Sequence, residues 1–238
     1  MTKVTFVIGD VHGCNTELNQ MLEQIFTSIA SQEIADWRIV LVGDYVDRGP
    51  DCPGVIERLM KEEDYHGKEK FVCLMGNHDQ CWANGETFLS EHTTDYQYRN
   101  LNEQWDKDLK KKHIEWIKGL RTYFQDDHRI YVHAGLAPDV PLEEQSPDNL
   151  MWIRGVEKIW HGKTVVHGHT PHSWSGPLIH RNMAGHLTSI NVDTGCCFGR
   201  DLTAAIFADE KYMGFLRVAS AHNSNDFLHP PTIHENDG

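Results

Sequence analysis

An α/β fold is predicted for this 238-residue chain by three features of its sequence. Short apolar, β-branched runs stop abruptly at glycine beside a carboxylate, an imidazole or an amide. A segment of helical period separates the first two of those runs. The later runs follow one another with no long helical pattern between them, the mark of a sheet with a different pairing.

The first run, Val4–Ile8, leads into Gly9-Asp10-Val11-His12-Gly13-Cys14-Asn15. Leu18, Met21, Leu22, Ile25, Phe26 and Ile29 then recur at helical spacing, with Asn15 or Thr16 placed to cap the helix. The next run, 39–42, completes a βαβ unit, which implies parallel strands and a right-handed crossover. It delivers Gly43-Asp44-Tyr45-Val46-Asp47-Arg48-Gly49, two acids and an arginine between glycines that permit a tight turn. That much charge is not buried without a cationic or phosphorylated partner. Pro53 fits the first turn of a helix carrying Val55, Ile56, Leu59 and Met60, and the run 71–75 stops at Gly76-Asn77-His78-Asp79.

From 82 to 128 the chain turns polar and rich in Trp and Tyr, with a helical pattern in Trp105, Leu109, Trp116, Ile117 and Leu120. It reads as a mainly helical insertion, either shaping the rim of a site or packed on the sheet as amphipathic helices. Runs at 129–132, 163–166 and 189–192 then end at His133-Ala134-Gly135, His167-Gly168-His169-Thr170-Pro171 and Asp193-Thr194-Gly195, and 203–208 adds one more strand. This half is expected to pair in a more antiparallel sheet. One domain over 1–220 is expected, with a polar tail at 221–238 that contains Pro230-Pro231 and lies mobile or loosely on the surface.

The formal charge of −13 argues against binding duplex nucleic acid, since Lys110-Lys111-Lys112 is the one dense basic cluster and sits beside acids. Apolar runs no longer than a strand argue against a membrane span, and Met1-Thr2-Lys3 leads straight into the first strand, so a cytoplasmic address is expected. The six cysteines show no C-x-x-C spacing and read as reduced, core-like thiols. Oligomeric state leaves no mark in the sequence.

Six runs end in a polar residue next to glycine: Asp10 with His12, Asp44, Asn77 with His78, His133, His169 and Asp193. Ligand sites in α/β sheets lie beyond the carboxyl ends of strands, so these loops can meet in one crevice. Carboxylate, imidazole and amide oxygen suit manganese foremost, with iron or zinc as alternatives, over calcium or magnesium. They divide into two sets: Asp10, His12 and Asp44 for one ion, and Asp44, Asn77, His133 and His169 for a second, with Asp44 bridging. Two ions roughly 3.5–4 Å apart can share a hydroxide and clamp a phosphoryl group for in-line attack. His78 is placed to protonate the leaving oxygen, with Asp47 orienting it. Arg48 and Arg154, beside Asn77, can fork onto phosphate oxygens. His167 reads as outer support for His169 and Asp193 as support for its loop. His172, His180 and His186 read as surface histidines of a Gly/Pro-rich loop.

At these residues the chain resembles the phosphoprotein phosphatase branch of the calcineurin-like metallophosphoesterases. GDVHG at 9–13, GDYVDRG at 43–49, GNHD at 76–79, HAG at 133–135 and GHTP at 168–171 carry the likeness, which runs from about 4 to 208. GDVHGC and the length are nearest to the compact bacterial and bacteriophage lambda-type serine/threonine phosphatases. The resemblance implies a β-sandwich of mixed sheets flanked by helices, a dinuclear metal site, and direct hydrolysis without a phosphoenzyme. It further implies His78 as the acid and Arg48 and Arg154 as phosphate ligands. Asp79 departs from the glutamate usual in eukaryotic protein phosphatases; GNHD is familiar in bacterial members, including symmetrical diadenosine tetraphosphate hydrolases.

Two substrates are therefore in view. A serine/threonine phosphoprotein, or another small phosphoester, is favoured by the intact GDYVDRG, because diadenosine tetraphosphatases tend to vary its second acid. The alternative is a symmetrical dinucleoside polyphosphate hydrolase, with 82–128 lining an adenine pocket. A non-catalytic scaffold would be expected to have lost ligands or His78, and every one is present.

Overall fold

Strand β1 (Val4–Ile8) shows how the layers are built. Phe6 and Ile8 point to one face, into a cluster with Leu18, Met21, Leu22 and Ile25 of helix α1 (Asn15–Ser31), while Val7 points to the other. The computed structural model describes residues 2–86, 105–154 and 162–221. Chain order continues with β2 (Trp37–Leu41), α2 (Cys52–His66), β3 (Phe71–Cys73), α3 (Asn77–Asn84), α4 (Lys107–Lys118), β4 (Tyr123–Gln125) and β5 (Arg129–Val132). Then come α5 (Pro147–Trp152), β6 (Thr164–His167), β7 (Leu178–Arg181), β8 (Leu187–Asn191), β9 (Leu202–Ala208) and β10 (Lys211–Val218).

The strands form two five-stranded sheets, ordered β10-β9-β1-β2-β3 and β4-β5-β6-β8-β7. β1, β2 and β3 are parallel, as the βαβ unit requires, with Val7 opposite Val40. Val7, Val40 and Phe207 of the first sheet meet Tyr131, Val166 and Ile190 of the second, so the sheets pack face to face. On the outer faces, α1 and α2 cover the first sheet, and Leu150 and Met151 of α5 pack on Ile130, Val132 and Val165 of the second. Asp51 caps α2 by accepting from Gly54 N at 2.9 Å, and Pro53 sits in its first turn. Cys14, not Asn15 or Thr16, is the capping residue of α1; the Asn15 amide instead donates to Asp51 at 2.6 Å.

The second sheet corrects one expectation. Its central strands β5, β6 and β8 are mutually parallel, and antiparallel pairing is confined to β4 and β7 there and to β9 and β10 in the first sheet. The described parts of the crossovers hold only the short α5 and the β7 excursion as regular elements, apart from 3-10 turns, so no long helical period betrays them. His180 accordingly lies in a strand and is half-buried, as is His172, whose Nε2 lies 3.3 Å from Asn191 O; His186 is exposed. β10 is hard to see in the sequence because Lys211, Gly214 and Arg217 interrupt its alternation and a bulge falls between Tyr212 and Gly214.

Of the stretch 82–128, residues 87–104 lie outside the described residues, as does 222–238 of the tail. The described α4 packs on α2 and α3. Trp116 donates to Glu63 at 3.0 Å, the Trp105 and Trp82 rings stand 4.5 Å apart, and Ile117 is fully buried. Among the described residues no helix is long and apolar enough to cross a membrane.

Candidate active site

The loops after the strands carry their polar residues in strained backbone. His12, Asp44, Asp47, Arg48 and His169 all have positive φ, from 44° to 75°. For a residue with a side chain each such position costs on the order of 1 kcal/mol or more, so surrounding bonds must hold it. The Asp44 carbonyl accepts from Val11 N and His12 N at 3.2 and 2.8 Å, tying the first two loops together. The Asp79 carboxylate accepts four backbone N–H groups: Asp44 at 2.8 Å, Tyr45 at 2.8 Å, Val46 at 3.2 Å and Gly76 at 2.9 Å. Only glycine fits at 76, because a Cβ there would stand 2.1 Å from Asp44 Oδ1.

Asp44 stands at the centre of what these loops assemble. Its Oδ2 lies 3.3 Å from His12 Nε2 and 3.4 Å from His133 Nε2, and its Oδ1 accepts from His78 N at 3.0 Å. Two groups of donor atoms, His12 with Asp44 and His78, and Asp44 with His133 and His169, share that one carboxylate. Burial favours its neutral form, but His133, His78 and His12 overcome burial and hold its pKa well below the usual carboxylate range. Asp10 shows the opposite balance: burial, then Asp193 and Asp44, push it well up. Three buried carboxylates, Asp10, Asp44 and Asp193, thus face one another's charge.

The donors fit cations. His12 gives its Nδ1 proton to Val46 O at 2.8 Å and His133 gives its own to Val42 O at 3.0 Å, so each presents a bare Nε2 lone pair inward. The His133 lone pair meets the Asn77 Oδ1 lone pair at 2.8 Å, two acceptors aimed at each other, which a positive ion between them reconciles. His169 donates from Nδ1 to the same Asn77 oxygen at 3.1 Å. Its Nε2 and the Asn77 Nδ2 are buried without a hydrogen-bond partner. Burial, with His133 and Arg154 nearby, pushes His169 down to about 2, so it stays neutral. Asp10 reaches the group through the His169 backbone N–H, at 3.1 and 3.3 Å from its oxygens.

Beside these donors stands a hydrogen-bonded histidine–aspartate pair. His78 Nδ1 donates to Asp47 Oδ2 at 2.7 Å, and His78 Nε2 accepts from Arg48 at 2.9 Å. The second arm of the Arg48 fork donates to His12 Nε2 at 2.7 Å, and its guanidinium carbon lies 5.2 Å from the centre of the Phe198 ring. Burial and Arg48 push His78 down to about 4, while Asp47 opposes them; Asp47 itself is held below its ordinary range by that bond. Arg154 is exposed at the edge, donating to Thr170 Oγ1 at 3.0 Å and to His169 O at 3.5 Å.

The ligand and acid candidates of the strand-end loops therefore meet here, Asp10 through the His169 N–H, and Arg154 joins them from outside. His167 does not; its Nδ1 lies 3.2 Å from Gly168 O, and burial pushes it down to about 4. Asp193 accepts from Gly195 N at 3.0 Å, a loop-supporting bond, and is raised by burial. Three residues contribute in ways that the sequence shows poorly. Asp79 is visible in the motif, yet its role is a set of backbone bonds. Cys197 and Phe198 lie beside Arg48; the place after Asp193-Thr194-Gly195 hints at the thiol near the site, and nothing in the sequence marks the ring.

The family model of the calcineurin-like phosphoesterases matches residues 4–212. Among curated relatives, an asymmetrical bis(5'-nucleosyl)-tetraphosphatase of Oceanobacillus iheyensis is 30% identical over 243 residues, covering 90% of this chain and 91% of that protein. A symmetrical bis(5'-nucleosyl)-tetraphosphatase of Pseudomonas fluorescens is 30% identical over 146 residues, 59% of this chain and 45% of that protein. Among solved structures, a candidate diadenosine tetraphosphatase superposes with TM-score 0.62 at 23% identity, covering 91% of this chain and 93% of that one. A serine/threonine phosphatase from Saccharomyces cerevisiae gives 0.62 at 13% identity, covering 96% and 81%. Both superpositions speak for the fold.

Proposed function

The chain belongs to the calcineurin-like phosphoesterases, metal-dependent hydrolases, and on that premise we propose that it hydrolyses dinucleoside tetraphosphates. The observation that carries phosphoester hydrolysis is the single Asp44 carboxylate shared by two groups of donors. The substrate class is supported by the relative of assigned activity that matches nine-tenths of both chains. This places the weight on the nucleotide side, where sequence reasoning favoured a phosphoprotein. Asymmetrical cleavage, giving ATP and AMP from diadenosine tetraphosphate, is expected from that same relative.

Asp10, His12 and Asp44 would hold one divalent ion, and Asp44, Asn77, His133 and His169 a second, with manganese favoured by the donor set. When bound, the pair supplies Lewis acidity to phosphoryl oxygens and acidifies water. Arg48 is poised to turn its two N–H arms from His12 and His78 onto the phosphate, and Arg154 to meet a more distal one. As Arg48 leaves His78, the main charge that depresses the imidazole goes with it, and Asp47 then favours the protonated ring. That ring delivers a proton to the leaving oxygen.

The bond between Asp47 and His78 also favours a second reading, hydrolysis of a phosphoserine or phosphothreonine ester. An alkoxide needs a proton to leave, whereas a nucleotide phosphate leaves easily without one. Manganese-loaded protein given diadenosine tetraphosphate and a phosphoserine peptide in parallel, with Asp44→Asn as blank, separates the two. Faster nucleotide release upholds the proposal, and ADP as sole product would make the cleavage symmetrical. Faster phosphate release from the peptide would overturn it in favour of the second reading.

A further inference from the structure

A second set of side chains of metal-ligating type is buried where α1 begins. The sulfurs of Cys14 and Cys196 and a carboxylate oxygen of Glu17 lie within 4.8 Å of one another, and all three residues are buried. Cys14 caps α1 and Glu17 stands one turn on, so the helix presents both on one face. Cys196 arrives from the turn Cys196–Phe198, in the other half of the chain, and brings its sulfur to within 4.8 Å of that of Cys14.

We propose that Cys14, Glu17 and Cys196 form a site for a thiophilic divalent cation of the zinc class, separate from the oxygen- and imidazole-rich centre on Asp44. Two sulfurs and one carboxylate are a donor set for such an ion, and manganese or magnesium has little affinity for it. Tetrahedral coordination with metal–sulfur bonds of about 2.3 Å brings ligand atoms to roughly 3.5–3.8 Å from one another, so an inward shift of about 1 Å suffices. Each thiol loses its proton to solvent as its sulfur takes up the metal, and no electron changes hands. The bound ion fastens the loop that carries His12 to the turn whose next residue, Cys197, lies beside Arg48.

Cadmium is the probe, because its bonds to thiolate absorb in the near ultraviolet and those to imidazole and carboxylate do not. Added to manganese-saturated full-length protein, it should give an absorption that saturates at a stoichiometric amount, with manganese retained and the unfolding midpoint raised. Cys196→Ser should abolish the absorption, and Glu17→Gln should keep it while weakening binding by about tenfold or more. If Cys196→Ser does not fold, Cys14→Ser supplies the same comparison. No absorption in the folded wild type, or the same absorption in the cysteine variants, would overturn the site. So would release of manganese in step with the absorption. The readout is spectroscopic, so it stands apart from the hydrolytic reading.

Discussion

Asp44 accepts more responsibility than any neighbour, because one carboxylate faces His12 on one side and His133 on the other. Asp44→Asn keeps the shape and removes the charge, and should reduce hydrolysis to background in the parallel assay. His78→Asn should lower kcat by about 10²–10⁴ for a phosphomonoester with a poor leaving group and far less for a nucleotide leaving group. Equal losses across leaving groups would remove the acid assignment. Asp47 raises the pKa of His78, so Asp47→Asn should lower it. An acid works only while protonated, and the alkaline fall in kcat should therefore begin at lower pH in the variant, as a pH–rate profile would show. These residues were legible as candidates because ligand types, glycines and motif spacing are local. The Arg48 fork resting on two imidazoles was not, since it depends on a guanidinium folding back across the loop.

At the scale of elements, one side chain of α3 fastens the loop after β2. Asp79 takes N–H groups from Asp44, Tyr45, Val46 and Gly76, and an alanine would leave four buried donors unmatched. Asp79→Ala should cost about 3 kcal/mol or more in urea unfolding and weaken metal retention with it. The α2 cap is a milder test: Asp51→Ala should cost about 1 kcal/mol and release the Asn15 amide that joins α1 to α2. The strands that end at glycine and a ligand could be read from their residues. β7, β10 and the parallel centre of the second sheet could not, because short strands with mixed faces and irregular crossovers leave no period to detect. Asp79 was readable as a letter in GNHD and unreadable as a clamp, since its partners are main-chain groups.

For the whole molecule, the place of β6 between β5 and β8 leaves His167 half-buried. His167 titrates near 4 in the folded chain against an ordinary value of 6.5. The unfolded chain therefore takes the proton first, and this contribution to stability is present above about pH 6.5 and lost as pH falls towards 4. Thermal midpoints of the metal-free protein should decline through that window, with a shallower slope in His167→Gln. The sandwich itself was legible through the motif resemblance, while composition alone reached only α/β. If the strand-end loops build one dinuclear site on Asp44, manganese content and electron paramagnetic resonance will report it. Desalted wild type should hold about two manganese ions per chain with a spin-coupled spectrum, Asp10→Asn should lose the coupling while keeping an ion, and Asp44→Asn should lose both. Full metal content and an unchanged coupled spectrum in Asp44→Asn would contradict the account.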